Sequence, residues 1–404
     1  MDAYSPWDSY PAAAHIDLKA LAANAARLRA YAPNARHMGI VKADAYGHGR
    51  AQVATVLAEN GYDILGAAQL SEALALRHEL DAAGFNHVDI FSWMLPPRAP
   101  ETIKRALAAG IEVSVSSVEQ LRLLQQTQMP ARVHLKVDTG MGRAGVEADQ
   151  LPELVTELLR ARGSGIETVA VWSHLARADE TGPDAAAATA AQQQRFDAAC
   201  EQVETMGLTG LTRHLAATSG IIWHPQLHYD MVRDGIGLYG LSPDPTHASS
   251  EQLGLQPVMT LTAQLSLVKP VRAGQTVSYG GTWVAPRDTW LAVVPLGYGD
   301  GIPRHASNAA TVLVRGTNPI RARIVGRVCM DQFVVDLGPT PHAPAAMGDE
   351  VVLFSAGRQA AGAVDNCLST GQVPSADDWA RCSGTINYEI VTRVGARVPR
   401  HYSN

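Results

Sequence analysis

Residues 37–67 read HMGIVKADAYGHGRAQVATVLAENGYDILGA. An apolar run at 37–42 passes through a glycine-bearing turn into a stretch suited to helix, and a second apolar run follows at 63–67. Strand, crossover and strand in this order mark a βαβ unit. The phrase recurs at intervals of roughly 25–30 residues, with further candidate strands at 88–91, 112–115, 132–138, 168–173, 213–217 and 231–236. Between them lie stretches such as 17–32 (DLKALAANAARLRAYA), with apolar residues at helical spacing. Ser117 followed by Gln120 has the form of a helix-capping box directly after a strand. Eight such units predict an α/β chain whose N-terminal part is a (β/α)8 TIM-type barrel; an open doubly wound sheet is the alternative.

After residue 241 the pattern changes. The segment 242–250 (SPDPTHASS) breaks helices and reads as a linker. Strand-like runs at 260–268, 289–295, 310–314, 321–325, 333–337 and 350–354 then alternate with glycine and proline turns. They predict a β-rich C-terminal domain. The expected division is a barrel over 12–245 and a β-rich domain over 246–404, with residues 1–11 adding to the latter. The polar stretch 357–382 reads as an insertion plus a short helix.

Composition narrows the functional classes. The 404 residues carry 33 Lys and Arg against 39 Asp and Glu, a net charge of −6, with no basic run. Such a chain is not expected to bind nucleic acid, because phosphate neutralisation dominates that affinity. No apolar run approaches the ~18 residues of a membrane span, and the opening MDAYSPWDSYP lacks the form of a secretory signal. Four cysteines with no CxxC pair suit a reducing cytosol, and no metal site is expected. Only 18% of residues are charged, below the usual ~25%, which implies a large core or a subunit interface.

Several positions carry chemistry. Lys42 stands at the C-terminal end of the first barrel strand, where catalytic side chains of barrels sit. A partly desolvated lysine there loses basicity and can form Schiff bases; the plainer reading is a strand-end lysine reaching solvent. The run KVDTGMGRAG (136–145) contains Asp-Thr-Gly, but no second copy supplies the paired carboxylate that an aspartic protease needs. Its Arg143 suits an oxygen of a small ligand. GIGLYG (235–240) matches a dinucleotide spacing, yet a proline-broken linker follows in place of a helix. What remains is a glycine-lined strand end able to approach a phosphate, with Ser219 adding a hydroxyl. Arg233 is either a surface residue or a buried donor, and His174 ends another strand.

Together the motifs VKADAYGHG, LKVDTGMGRAG, SHLARAD, VRDGIGLYG, VSYGG, GYGDG, VCMDQ and INYE resemble, in order and over nearly the whole chain, the bacterial alanine racemases. These are fold-type III pyridoxal-phosphate enzymes, and the resemblance implies a cytoplasmic homodimeric isomerase with shared active sites. It would interconvert L- and D-alanine by a two-base mechanism and supply D-alanine for peptidoglycan. Lys42 would hold pyridoxal 5'-phosphate and act as base on the D face, and Tyr279 would serve the L face of the partner's site. Arg233 would face the pyridine nitrogen and Arg143 the ring hydroxyl oxygen. Tyr46, Ser219, Gly235, Ile236 and Tyr388 would hold the phosphate, with His174 beside Tyr279 and Arg233. Met330 and Asp331 would join Arg143 in substrate binding, Tyr298 would narrow the entrance, and Lys136 would be carbamylated. An arginine that keeps its proton leaves the pyridine nitrogen unprotonated, which disfavours side reactions such as transamination. Asp234, between Arg233 and the glycines, is expected to point away from the phosphate. A serine or broad-specificity racemase, and a non-catalytic carrier of the cofactor, are the competing readings; barrel-type decarboxylases do not fit the Tyr279 and 329–331 motifs.

Overall fold

The chain enters with β1 (Ala12–Asp17) and runs through eight parallel strands. These are β2 (Arg36–Ile40), β3 (Ile64–Gln69), β4 (Asp89–Met94), β5 (Glu112–Val115), β6 (Ala131–Lys136), β7 (Ile166–Trp172), β8 (Thr212–His214) and β9 (Met231–Asp234). The computed structural model describes residues 10–316, 318–355 and 373–404. Strands β2 to β9 close into a barrel, β9 pairing back onto β2 with Gly39 opposite Asp234. All eight overlap the sequence-predicted runs, and the open doubly wound sheet is excluded by closure.

The crossovers are helices because their apolar residues fall on one face. In Leu151–Ala161 the buried positions are Leu151, Leu154, Val155, Leu158 and Ala161, a single stripe. Ser117 caps the helix Val118–Gln126 by accepting from the Gln120 amide at 3.3 Å. Gln120 Oε1 in turn accepts from the Ser116 amide at 2.7 Å, one residue earlier than a standard box.

A second, nine-stranded sheet gathers the C-terminal strands. The run predicted at 260–268 is in fact two strands, β10 (Met259–Gln264) and Leu267–Val271, broken at Leu265-Ser266. Strand β1 belongs to this sheet, although the division at 12 would place it with the barrel. It pairs antiparallel with β10 and parallel with Arg400–Ser403. Contacts accordingly divide the chain into one unit of 21–45 and 49–255 and another of residues up to 20, 46–48 and 256–404. The predicted insertion at 357–382 lies largely outside the described residues. Its described part contains the helix Ala376–Ser383, capped by Ser375, whose hydroxyl accepts from the Asp378 amide.

Because β1 is internal to its sheet, its backbone has no tolerance for a missing donor. The Ala14 amide donates to the Pro399 carbonyl at 2.9 Å and its side chain is fully buried. Ala14→Pro should therefore destabilise the chain by about 2 kcal/mol or more, from one lost hydrogen bond and one stranded buried carbonyl. Urea denaturation of the full-length protein checks this, and an unchanged midpoint would contradict it.

Candidate active site

In the barrel unit, the sequence-predicted residues converge at the C-terminal ends of the strands. Arg233, on β9, points inward and is 4% exposed. Its Nη2 donates to the carbonyls of Ser173 and Leu215, both at 2.9 Å, and to His174 Nδ1 at 3.0 Å. Its Nη1 donates to His214 Nδ1 at 3.0 Å and to the His214 carbonyl at 3.1 Å. Both terminal nitrogens are thus occupied by the barrel. Among the described residues, Nε–H has no protein acceptor.

Asp234, the next residue along, has the opposite orientation, as strand alternation requires. Its Oδ2 accepts from Tyr62 Oη at 2.6 Å and meets His37 Nδ1 at 2.7 Å. This agrees with the expectation that it turns away from the glycine turn. The turn itself differs from expectation in one bond: the Gly235 amide donates to Thr218 Oγ1 at 3.1 Å, as does that of Gly237 at 3.3 Å. Ile236 opens the short 3-10 turn that follows, and Ser219 lies half-buried in the first turn of the helix Thr218–Trp223.

Lys42 is not the last residue of a strand. Strand β2 stops at Ile40, and the chain turns left-handed for four non-glycine residues, with φ of 53° at Ala43, 54° at Asp44, 55° at Ala45 and 53° at Tyr46. This conformation costs each L-residue roughly 1–2 kcal/mol, so other contacts must hold it. Glu72 Oε1 accepts from the Ala43 amide at 2.7 Å, and Asp44 Oδ1 accepts from the Arg50 amide at 2.8 Å. Arg50 is locked in turn by a two-pronged pair with Glu79, both bonds 2.8 Å. Lys42 is therefore mounted on a strained, heavily tied turn. Burial pulls its ammonium below the ordinary lysine value, and repulsion from Arg143 and Arg233 adds to this, against the pull of Glu72.

The loop bearing Arg143 folds back on β6. The Val146 amide donates to the Lys136 carbonyl at 2.9 Å, and that of Asp138 to the Val146 carbonyl at 3.0 Å. Only glycine fits at 145, where φ is +132° and a Cβ would lie 2.3 Å from the Asp138 nitrogen. Asp138 Oδ1 accepts from the amides of Gly140, Met141 and Gly142 at 2.8–3.2 Å. Thr139 and Ser173 are joined through their hydroxyls at 2.9 Å, and Gln192 donates both to Thr139 Oγ1 and to the His174 carbonyl. Asp-Thr-Gly thus serves as a brace for the Arg143 loop. Lys136 is 6% exposed, with Nζ 4.4 Å from the Trp172 ring centroid. Burial first, then Arg143 and Arg233, push its pKa down to about 8. Among the described residues no carboxylate forms an ion pair with it.

The remaining candidates lie in the second unit and fall into two groups. Tyr46 and Tyr388 face each other with ring centroids 6.3 Å apart, and burial pushes the Tyr46 phenol upward. Tyr279, Met330 and Asp331 line one surface depression. Tyr279 is 71% exposed and Met330 55%, both large apolar surfaces left open on a single chain. The Tyr298 turn is stitched to the Met330 loop: the Tyr298 amide donates to the Cys329 carbonyl at 2.9 Å and that of Gly299 to the Met330 carbonyl at 2.8 Å. Gly297 permits this approach, since a Cβ there would sit 2.2 Å from the Met330 oxygen. Asp331 pairs with Arg397 through Oδ1, 3.0 Å from both terminal nitrogens.

Residues 16–243 match the family model for the alanine racemase N-terminal domain, and 258–402 that for the alanine racemase C-terminal domain. The chain belongs to the alanine racemase family. It is 46% identical to the alanine racemase of Beutenbergia cavernae, over 97% of this chain and 98% of that one. Among solved structures, alanine racemase from Streptomyces coelicolor matches at 43% identity and a TM-score of 0.88, over 98% of each chain. That from D-cycloserine-producing Streptomyces lavendulae matches at 40% and 0.87, over 99% of this chain and 98% of that one.

Sequence reading missed four barrel residues that the site depends on: Glu72, Glu112, His134 and His214. The last three are titratable groups within predicted strands, where such groups are seldom buried without a partner, and that was the available signal.

The depressed lysine has a measurable consequence for stability. An unfolded chain keeps Lys136 near its ordinary 10.5, whereas the folded chain releases the proton at about 8. Between these values the unfolded state binds the extra proton, so stability rises with pH. In CO2-free buffer, wild type should therefore gain stability relative to Lys136→Met as pH is raised from about 8 to 10. A pH-independent difference in urea midpoints would contradict the assignment.

Proposed function

We propose that this chain is a pyridoxal-phosphate-dependent alanine racemase that works as a cytoplasmic homodimer and supplies D-alanine for peptidoglycan. The observation that carries the reading is the charge of the barrel mouth. Lys42, Lys136, Arg143 and Arg233 repel one another there, and the only nearby carboxylates acting on the two lysines are Glu72 and Asp138 among the described residues. Such a set calls for an anionic ligand, and a phosphate-bearing aldehyde meets it twice: the lowered Lys42 amine could bond to the aldehyde carbon, and the net positive charge of the mouth favours a ligand of negative charge. Arg233 also fits, since its remaining Nε–H can donate to a pyridine nitrogen while both terminal nitrogens anchor it. Tyr46, Ser219, Ile236 and Tyr388 would hold the phosphate with the glycine turn at 235, and Arg143 the ring hydroxyl. When bound, the cofactor withdraws electrons from the α-carbon and acidifies its C–H bond.

The residues of the chain then have separable tasks. Racemisation removes the α-proton on one face and returns a proton on the other, so two bases are required. Lys42 Nζ serves the D face, and Tyr279 of the partner subunit the L face. Arg143 receives the substrate carboxylate, Met330 and Asp331 of the partner subunit line it, and Tyr298 narrows the entrance. His174 accepts from Arg233 at Nδ1, so its Nε2 carries the proton and can donate to a phenolate. The buried, mutually repelling environment of Lys136 is relieved when its neutral amine adds CO2, forming a carbamate and releasing one proton. The resulting anion stands opposite Arg143.

The decisive experiment incubates the protein with L-alanine in deuterated water. Loss of the α-proton should accompany appearance of the D isomer, and no exchange with the cofactor bound would favour a non-catalytic carrier. Tyr279→Phe should lose exchange chiefly when the reaction starts from L-alanine; equal loss from both isomers would contradict face-specific bases. Separately, 13C-bicarbonate at pH 8 should give a carbamate carbon resonance that Lys136→Ala abolishes. Its absence in wild type would remove Lys136 from this role.

A further inference from the structure

Behind Arg233 a file of buried polar side chains crosses the barrel interior. His214 Nδ1 meets Arg233 Nη1 at 3.0 Å, His214 Nε2 meets His134 Nδ1 at 3.0 Å, and His134 Nε2 meets Glu112 Oε2 at 2.7 Å. Glu112 also pairs with Arg132. Glu112, His134 and His214 are each no more than 2% exposed. Aromatic packing fixes the ring planes. His134 stacks on Phe91 at 4.1 Å between centroids, and His214 lies parallel to Trp172, whose indole N–H donates to Ser114 Oγ.

The proton positions in this file follow from one fact: a guanidinium has donors and no acceptor. His214 Nδ1 must therefore be the acceptor, which puts the His214 proton on Nε2. That proton needs an acceptor at His134 Nδ1, so His134 is neutral with its proton on Nε2. The His134 proton in turn points at Glu112, which must be ionised. Any other arrangement sets two donors or two acceptors face to face inside the barrel, at a cost of a lost buried hydrogen bond. The same rule at Nη2 makes His174 neutral as well. Burial lowers the basicity of all three histidines, with Arg233 repelling their charged forms. Burial raises the Glu112 carboxyl, but His134 and Arg132 outweigh it and hold it below the ordinary value.

We propose that Glu112 is a positioning residue for the reaction: through His134 and His214 it fixes the donor direction of a file that ends on Arg233. The file holds that guanidinium in one orientation toward the site. An uncharged side chain at 112 removes the directional bias. A glutamine can present its amide N–H to His134, and each imidazole then shifts its proton until His214 confronts Arg233 with a donor. The file is short of alternatives on the Arg233 side, because the guanidinium is already bonded to three carbonyls. The inference rests on Arg233 and His174 belonging to the working site.

The test uses full-length, cofactor-loaded protein labelled with 15N in histidine. Ring-nitrogen resonances, assigned with His134→Gln and His214→Gln, should report neutral Nε2–H forms for both residues from pH 6 to 8. A cationic ring or an Nδ1–H form at either position overturns the proposal, with no variant of Glu112 needed. Glu112→Gln should mix the tautomers and lower kcat by about ten- to a hundredfold, the usual loss when an orienting partner is removed. KM for alanine should stay within about twofold, and Glu112→Asp, which keeps the charge, should recover part of kcat. Altered tautomers with unchanged kcat, or a loss confined to KM, also overturn it. Absence of racemisation by wild type would fail the functional reading instead, since tautomers are read without substrate.

Discussion

The buried guanidinium of Arg233 sets the terms for every ionisable group around it. Burial alone lowers its pKa to about 9, which still leaves it charged at neutral pH. Among the described residues no carboxylate forms an ion pair with it, so a cation stands in the barrel held by three carbonyl oxygens and two imidazole nitrogens. Burial without a counter-charge is costly unless hydrogen bonds satisfy the group, and here both terminal nitrogens are satisfied. The consequences spread outward. The histidines that touch it must be neutral, and the two lysines that share its mouth, already lowered by burial and by Arg143, lose further basicity to it. Lowered basicity makes the amine form of each lysine, the form that acts as nucleophile and base, easier to reach.

Strain is placed next to that chemistry. Four left-handed residues after Lys42 persist because Glu72, Asp44 and the Arg50–Glu79 pair bind their backbone and its continuation. The turn fixes the root of the lysine, and its Nζ lies 5.7 Å from the Trp93 ring centroid. Glu72 has a double position, binding the Ala43 amide and attracting the Lys42 charge, so it opposes the arginines as it fixes the turn.

The eight barrel strands were legible because strand-like runs recur at a regular spacing between helical stretches, a local property. Lys42 and His174 were legible because they stand at the ends of such runs, Arg143 because it lies in a glycine-rich turn after one, and Arg233 because it precedes the glycines of 235–240. Strand β1 was not, since its place is set by pairing with residues about 250 and 390 positions away, which no local pattern encodes. The left-handed turn was equally hidden: KADAY contains no glycine, and the conformation is imposed by Glu72 from another βα unit. Glu112, His134 and His214 escaped notice for a subtler reason. Alternation along a strand separates two faces but does not distinguish the barrel lumen from the helix-covered outside, so among the other polar residues of the same strands these three do not stand out.

The charge of the mouth also bears on which reaction the barrel can favour. Four cations answered by few carboxylates stabilise ligands that keep their own negative charge throughout the reaction. An amino acid whose carboxylate is retained, bound beside a phosphate, presents two such charges in substrate and product alike. Decarboxylation would remove one of them as the reaction proceeds, and the arginines would oppose that loss. A racemase makes no such demand, because its two ligands differ only in the face from which the α-proton came. The cationic mouth that lowers the basicity of its lysines thus also favours ligands that keep their carboxylate, and the buried Arg233 contributes to both effects beside Arg143.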